Sequence, residues 1–153
     1  MIELAEIQFN AKTDPKQISF TENDMEYMQS LHPACMNEIS NEEGPICWVT
    51  VIPTSKEIMT KMLQGEINEN QLLQNTTLDT PLQAIYLCSA LTLPEFRMQN
   101  ITFNVTVKAI QKMKENHPIE ALFAWPFTVE GQRLSQKIAS QLQLPIFFCA
   151  ASK

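Results

Sequence analysis

Two apolar runs, 84–93 and 119–127, limit the fold of this chain more than any other feature. Neither alternates apolar with polar residues, and each is short, so both read as strands covered on two faces. Such strands are normally parallel, and parallel neighbours need a crossover of a dozen or more residues, usually a helix. The segment 95–117 between them is long enough to supply one. Part of it argues the other way. In Ile101-Thr-Phe-Asn-Val-Thr-Val107 the apolar residues alternate strictly and are mostly β-branched, which is the local pattern of a strand. The flanking runs decide the matter, and Lys108-Ala-Ile-Gln-Lys-Met-Lys114 reads as the C-terminal half of a helix, with cations where the dipole favours them. A helix is predicted from about residue 98 to 115.

The remaining elements follow from periodicity and turn chemistry. Ile2 to Phe9 reads as a first strand. Met25, Met28, Leu31, Cys35 and Ile39 recur every three or four positions, predicting a helix over Thr21–Ile39, or two short ones broken near Pro33. Asn41-Glu-Glu-Gly-Pro45 is a turn, and Ile46 to Ile52 is a buried strand closed by Pro53. Thr54 or Ser55 caps a helix with the apolar stripe Ile58, Met59, Met62 and Leu63, which ends at Gly65. A second short helix starts near Asn68 and uses Leu72 and Leu73, and a polar loop, 75–81, precedes the first apolar run. A helix from Val129 to Leu142 and a last strand from Pro145 to Ala151 complete an α/β order within 153 residues, the size of one domain.

Charge excludes some partners. The formal net charge is -6, the sequence pI is about 4.9 and no two Lys or Arg residues are adjacent, so the basic footprint of a nucleic-acid binder is missing. An acidic surface suits a neutral or cationic ligand better. Met1-Ile-Glu-Leu-Ala-Glu-Ile7 lacks the basic region and apolar core of a signal peptide, and no apolar run has the length that spans a bilayer. The expectation is a cytoplasmic protein with no membrane partner. Cys35, Cys47, Cys88 and Cys149 are widely spaced and read as structural thiols. His32 and His117, each directly before proline, give no recognised zinc spacing, so no metal is expected, and His117 reads as a helix end. Trp48 and the methionines Met25, Met28, Met59, Met62 and Met113 read as core.

Leu87-Cys-Ser-Ala-Leu-Thr-Leu-Pro-Glu-Phe-Arg97, the crossover helix, Ala121-Leu-Phe-Ala-Trp-Pro-Phe127 and a Gly-containing helix together resemble the core of the GNAT superfamily of N-acetyltransferases, over roughly residues 82–150. The resemblance implies the acyl-CoA N-acyltransferase fold, with a mixed central sheet flanked by helices in a single domain over 1–153. It implies acetyl-CoA as co-substrate and a small-molecule or peptide amine as acceptor. In that family a strand ends in a run like Pro-Glu-x-Arg-Gly-x-Gly-x-Gly/Ala, the following loop and helix start wrap the pyrophosphate, and pantetheine lies along the strand end, splayed from its neighbour. Carried over, Leu91, Thr92 and Leu93 form the strand end, and Arg97, Met98, Gln99, Asn100, Ile101 and Thr102 form the phosphate loop.

This sequence departs from the family pattern at both glycine positions, where Asn100 and Thr102 stand. Asparagine tolerates left-handed backbone, whereas the Thr102 methyl is expected to press into the phosphate space, and Arg97 can pair with phosphate. Many members protonate the departing thiolate with a tyrosine in the last helix. Here Leu134-Ser-Gln-Lys137 puts Ser135 in that place, and a serine hydroxyl is a poor general acid. Glu57, Glu66, Glu69 and Glu95 all stay open as the general base, so no catalytic residue is assigned. Trp125-Pro126-Phe127 either lines the acceptor pocket or caps the core. The lost glycines and tyrosine motivate an alternative, a catalytically inactive GNAT-like binding or structural domain without CoA.

Overall fold

The computed structural model describes residues 21–96, 99–125 and 128–149. The strand expected at Ile2–Phe9 lies outside them. Helix α1, Glu22–Leu31, begins at Thr21, whose side chain accepts from the Asp24 N–H while the Asp24 carboxylate accepts from the Thr21 N–H. This reciprocal cap satisfies two amides that a helix start leaves unpaired. The helix stops where Pro33 disfavours helical backbone at His32. The periodicity through Cys35 and Ile39 therefore does not continue as helix: the chain makes one 3₁₀ turn, Pro33–Cys35, and enters strand β1, Met36–Asn41. Asn41 accepts from the Glu43 N–H at 2.8 Å, and Gly44 takes φ +126°, so the turn reverses the chain into β2, Gly44–Thr54.

Nine consecutive β2 residues, from Ile46 to Thr54, are buried, as a strand covered on both faces requires. Trp48 is among them, and its indole N–H donates to Glu38 of β1 at 3.0 Å. Ser55 caps helix α2, Lys56–Leu63, by accepting from the Ile58 N–H. Thr54 instead bonds Thr76 beneath the surface at 2.6 Å. Gly65 takes φ +79° beyond the helix end, and Asn68 opens helix α3, Glu69–Asn75, with a capping box to Gln71. Strand β3 runs Ala84–Thr92. Helix α4, Ile101–Asn116, then crosses to strand β4, Ala121–Ala124, and helix α5, Val129–Leu142, leads to strand β5, Ile146–Phe148. Strands β4 and β5 are shorter than the runs 119–127 and 145–151 suggest, because apolar residues beyond a strand end serve equally well to close the core.

The sheet order is β1-β2-β3-β4-β5, with β1, β2 and β3 antiparallel in sequence and β3, β4 and β5 parallel. This is a mixed five-stranded sheet flanked by helices. The alternating segment 101–107 is helical despite its strand-like pattern, because two parallel strands must be joined over the sheet and α4 buries Val107, Ala109, Ile110 and Met113 there. Helices α4 and α5 pack side by side, as successive crossovers of one hand require. Tyr86, Phe123, Ile85, Leu122, Ile110 and Met113 form the centre of the core. No described helix is long and apolar enough to cross a membrane.

The end of α1 is held to the end of α4 by histidine. His32 Nδ1 accepts from the Ala34 N–H at 3.0 Å, so its proton resides on Nε2, which donates to Asn116 Oδ1 at 3.0 Å. His117 ends α4, as expected, with its ring 5.9 Å from that of His32. Partial burial and the neighbouring His32 hold the His117 pKa below its ordinary value of 6.5. Between the lowered value and 6.5 the unfolded chain binds more protons, so this contribution to stability is complete above 6.5 and is lost as pH falls through the window. The urea midpoint should therefore fall between about pH 7.5 and about pH 5.5, and His117→Gln should flatten that slope. Separately, Ile110→Ala, at a side chain with no exposed surface, should cost about 2–5 kcal/mol in urea denaturation.

Candidate functional site

Strand β3 runs beside β4 for four pairs, from Ala84 opposite Ala121 to Leu87 opposite Ala124, and there β4 ends while β3 continues to Thr92. At the same point the ladder between β2 and β3 slips: Val51 faces Leu87 and Thr50 faces Ser89, leaving Cys88 as the extra residue. A bulge bends its strand and increases local twist, which turns β3 away from β4. The space so opened is a cavity of about 640 Å³, within the usual range for a small-molecule site. Its walls are residues 87–92 of β3, Val49 to Val51 of β2, the N-terminal turns of α4 and α5, and Ala124 at the end of β4 with Trp125 after it.

The expected strand-end and loop residues separate here. Leu91 and Thr92 line the cavity, as do Asn100, Ile101 and Thr102. Leu93 does not; its N–H donates to Ile46 at 3.0 Å and its side chain packs on the core. Gln99 is exposed and off the wall, and Arg97 and Met98 lie outside the described residues. Asn100 takes φ 59°, ψ 21°, a left-handed conformation that glycine or asparagine accepts most readily. Thr102 is turned toward the sheet: its hydroxyl is hydrogen-bonded to that of Thr92 and lies 3.8 Å from the Cys47 sulfur. These bonds tie the start of α4 to the end of β3.

No side chain among the described residues caps α4. The first amides of this 16-residue helix therefore present the positive end of its dipole at the cavity mouth. Lys137 of α5 adds a cation: its ammonium donates to Asn100 Oδ1 at 3.3 Å and sits 4.5 Å from the centre of the Phe103 ring. Helix α5 is capped by Thr128, whose hydroxyl oxygen accepts from the Gly131 N–H at 2.9 Å.

None of the four carboxylates open as general base lines the cavity. Glu57 is exposed beside Lys61, and Glu66 and Glu95 are exposed. Glu69 is 3% exposed and accepts from the Tyr86 hydroxyl. The carboxylate on the wall is Glu130, in the first turn of α5. Sequence reasoning missed it; the usable signal is an acidic residue just after a helix cap that follows a buried strand. Ser135, at the family's tyrosine position, lines the cavity, but its hydroxyl donates to the Gly131 carbonyl at 2.9 Å. Trp125 both lines the cavity and packs on the core, so neither of its two expected roles excludes the other.

Two of the thiols, Cys35 and Cys88, are chemically quiet. Burial, then the charge of Glu69, pushes the Cys88 pKa well up, and burial pushes Cys35 up to about 12. Burial, followed by Glu69, also raises Tyr86, so phenol and thiol stay protonated behind the bulge. Among the described residues no group of three or more His, Cys, Asp or Glu side chains is placed to hold a metal ion. The sequence matches no protein-family model and no curated protein. Since the thiolate is the reactive form, iodoacetamide at about pH 8 should modify Cys35 and Cys88 at least about tenfold more slowly in the folded protein than in urea, measured by peptide mass spectrometry.

Proposed function

We propose that this protein is an acetyl-CoA-dependent N-acyltransferase of the GNAT-like fold, acting on a small-molecule or peptide amine. The observation that carries the reading is the cavity opened where β3 leaves β4, with the start of α4 at its mouth. Pantetheine would run along residues 88–91 of β3, beyond the last pair with β4 among the described residues. A backbone N–H near the Cys88 bulge would polarise the thioester carbonyl. The neutral amine nitrogen attacks the carbonyl carbon, the new C–N bond replaces the C–S bond, and CoA leaves as thiolate, taking up the proton that the amine releases. Orientation in the groove supplies the catalysis, since positioning alone lowers a bimolecular barrier substantially. The free thiols of Cys35, Cys47 and Cys88 accord with a reducing, cytoplasmic setting.

A second reading, a binding domain on the same scaffold without turnover, is favoured by one observation: the hydroxyl at the family's acid position is bonded within its own helix. The two are separable. Acetyl-CoA should bind in isothermal titration, and transfer to a panel of primary amines should release free thiol. Binding without thiol release supports the second reading, and no heat at millimolar ligand removes both. Asn100→Gly with Thr102→Gly should tighten acetyl-CoA binding by about tenfold, or about 1.4 kcal/mol, by baring amides to the phosphate. No gain in affinity would count against a phosphate site at this loop.

A further inference from the structure

We infer that the acyl group handled by this protein is longer than acetyl: the cavity continues past the bulge into a hydrocarbon compartment that fits a chain of about six to eight carbons. This inference rests on the acyltransferase reading and names the chemical class of its donor, a medium-chain acyl thioester.

The compartment lies between the sheet and the paired helices α4 and α5. Cys47 of β2 stands against Thr102 of α4, so by strand alternation Val49 and Val51 face α4 as well. Leu87 and Ala90, which pair with Val51 and Val49, share that face. All four line the cavity and form the floor of the compartment. Thr50 and Ser89 also line the cavity, but they pair with each other and alternate to the opposite face of the sheet.

The walls are Phe103 and Thr106 of α4 and Leu134, Ser135 and Ile138 of α5, spaced by three or four residues and so on one side of each helix. Their hydroxyls are already engaged. Thr106 donates to the Thr102 carbonyl at 2.8 Å and Ser135 to the Gly131 carbonyl at 2.9 Å, so each turns back on its own helix. Glu130, in the first turn of α5, is about 12 Å along the helix from Ile138. Among the described residues, these inner walls therefore offer a ligand methyl, methylene and ring surface, which favours hydrocarbon over any group that needs a hydrogen bond.

The compartment also has a bottom. Ile110 and Leu142, four residues beyond Thr106 and Ile138, are buried in the core and do not line the cavity. The lined part of α5 from Gly131 to Ile138 is about 10 Å long. An extended chain advances about 1.2 Å per bond, so about eight bonds match that length. An acetyl group held at the bulge would leave most of these walls without contacts.

The test titrates the full chain with acetyl-, butanoyl-, hexanoyl-, octanoyl- and dodecanoyl-CoA in a calorimeter, and with octanoate alone. A fully buried methylene is worth up to about fourfold in affinity, so binding should tighten at least about tenfold from acetyl-CoA to hexanoyl-CoA. Dodecanoyl-CoA should bind no tighter than octanoyl-CoA, because the compartment is closed. Ile138→Phe should remove at least about tenfold of the acetyl-to-octanoyl gain while acetyl-CoA binds as before, and Ile138→Ala should make the best chain about two carbons longer. If Ile138→Phe does not fold, Ile138→Ala gives the same readout. Octanoate should bind at least about tenfold more weakly than octanoyl-CoA. A gain below about tenfold, an affinity still rising at dodecanoyl-CoA, or a best chain length that the Ile138 variants do not move overturns the inference and leaves the acetyl-CoA reading standing. Octanoate binding as tightly as octanoyl-CoA overturns it too, since the chain would then bind without a CoA arm. Failure of every thioester to bind removes both readings.

Discussion

The parting of β3 from β4 after Leu87 and Ala124 is the constraint on which the rest of this structure depends. A parallel pair that continued would satisfy its backbone groups within the sheet and leave no space. Because β4 stops and the Cys88 bulge swings β3 outward, the strand edge from 88 onward faces a cavity instead of a neighbour. Backbone N–H and C=O groups along 88–91 of that edge have no partner in β4, and buried ones are rarely left unpaired. The cavity is thus a polar-edged slot with apolar walls, suited to an extended chain that carries amides of its own.

Several contacts hold that opening in place. Behind the bulge, Tyr86 stacks against Phe123 with ring centres 5.1 Å apart and donates to the buried carboxylate of Glu69. A buried carboxylate is costly unless hydrogen-bonded, so this bond anchors α3 to the strand just before it bends. In front, the Thr92–Thr102 bond fixes the start of α4 against the end of β3. At the far end, His32 and Asn116 join α4 to α1. Helix α4 is therefore secured at both ends, and its first turn meets the cavity.

The electrostatics of the site are modest and local. Among the described residues, one ammonium, one carboxylate and two helix starts meet at the mouth, while the thiol and phenol near the bulge are kept neutral by burial. Such a site can hold a neutral ligand beside a small anion. On the proposed acyltransferase reading, chemistry would rest on positioning and on the backbone, with the reacting amine supplying its own nucleophilicity.

Local sequence determined the elements themselves. The caps at Thr21, Ser55 and Asn68, the turns at Gly44 and Gly65, and the two apolar runs are signals carried within a few residues, and the segment 101–107 was legible as helix only because those runs demanded a crossover. Pro33 was visible too, but that Met36–Asn41 would extend as a strand depended on pairing with β2, a partner that periodicity does not report. The site was half legible: Asn100 at a left-handed turn followed from what its side chain tolerates, whereas the engagement of Thr102 with Thr92, the place of Lys137 and the choice of Glu130 over four other carboxylates did not. Those depend on where strands end and on which helix faces meet, and such distances are set only when residues far apart in the chain are brought together in three dimensions.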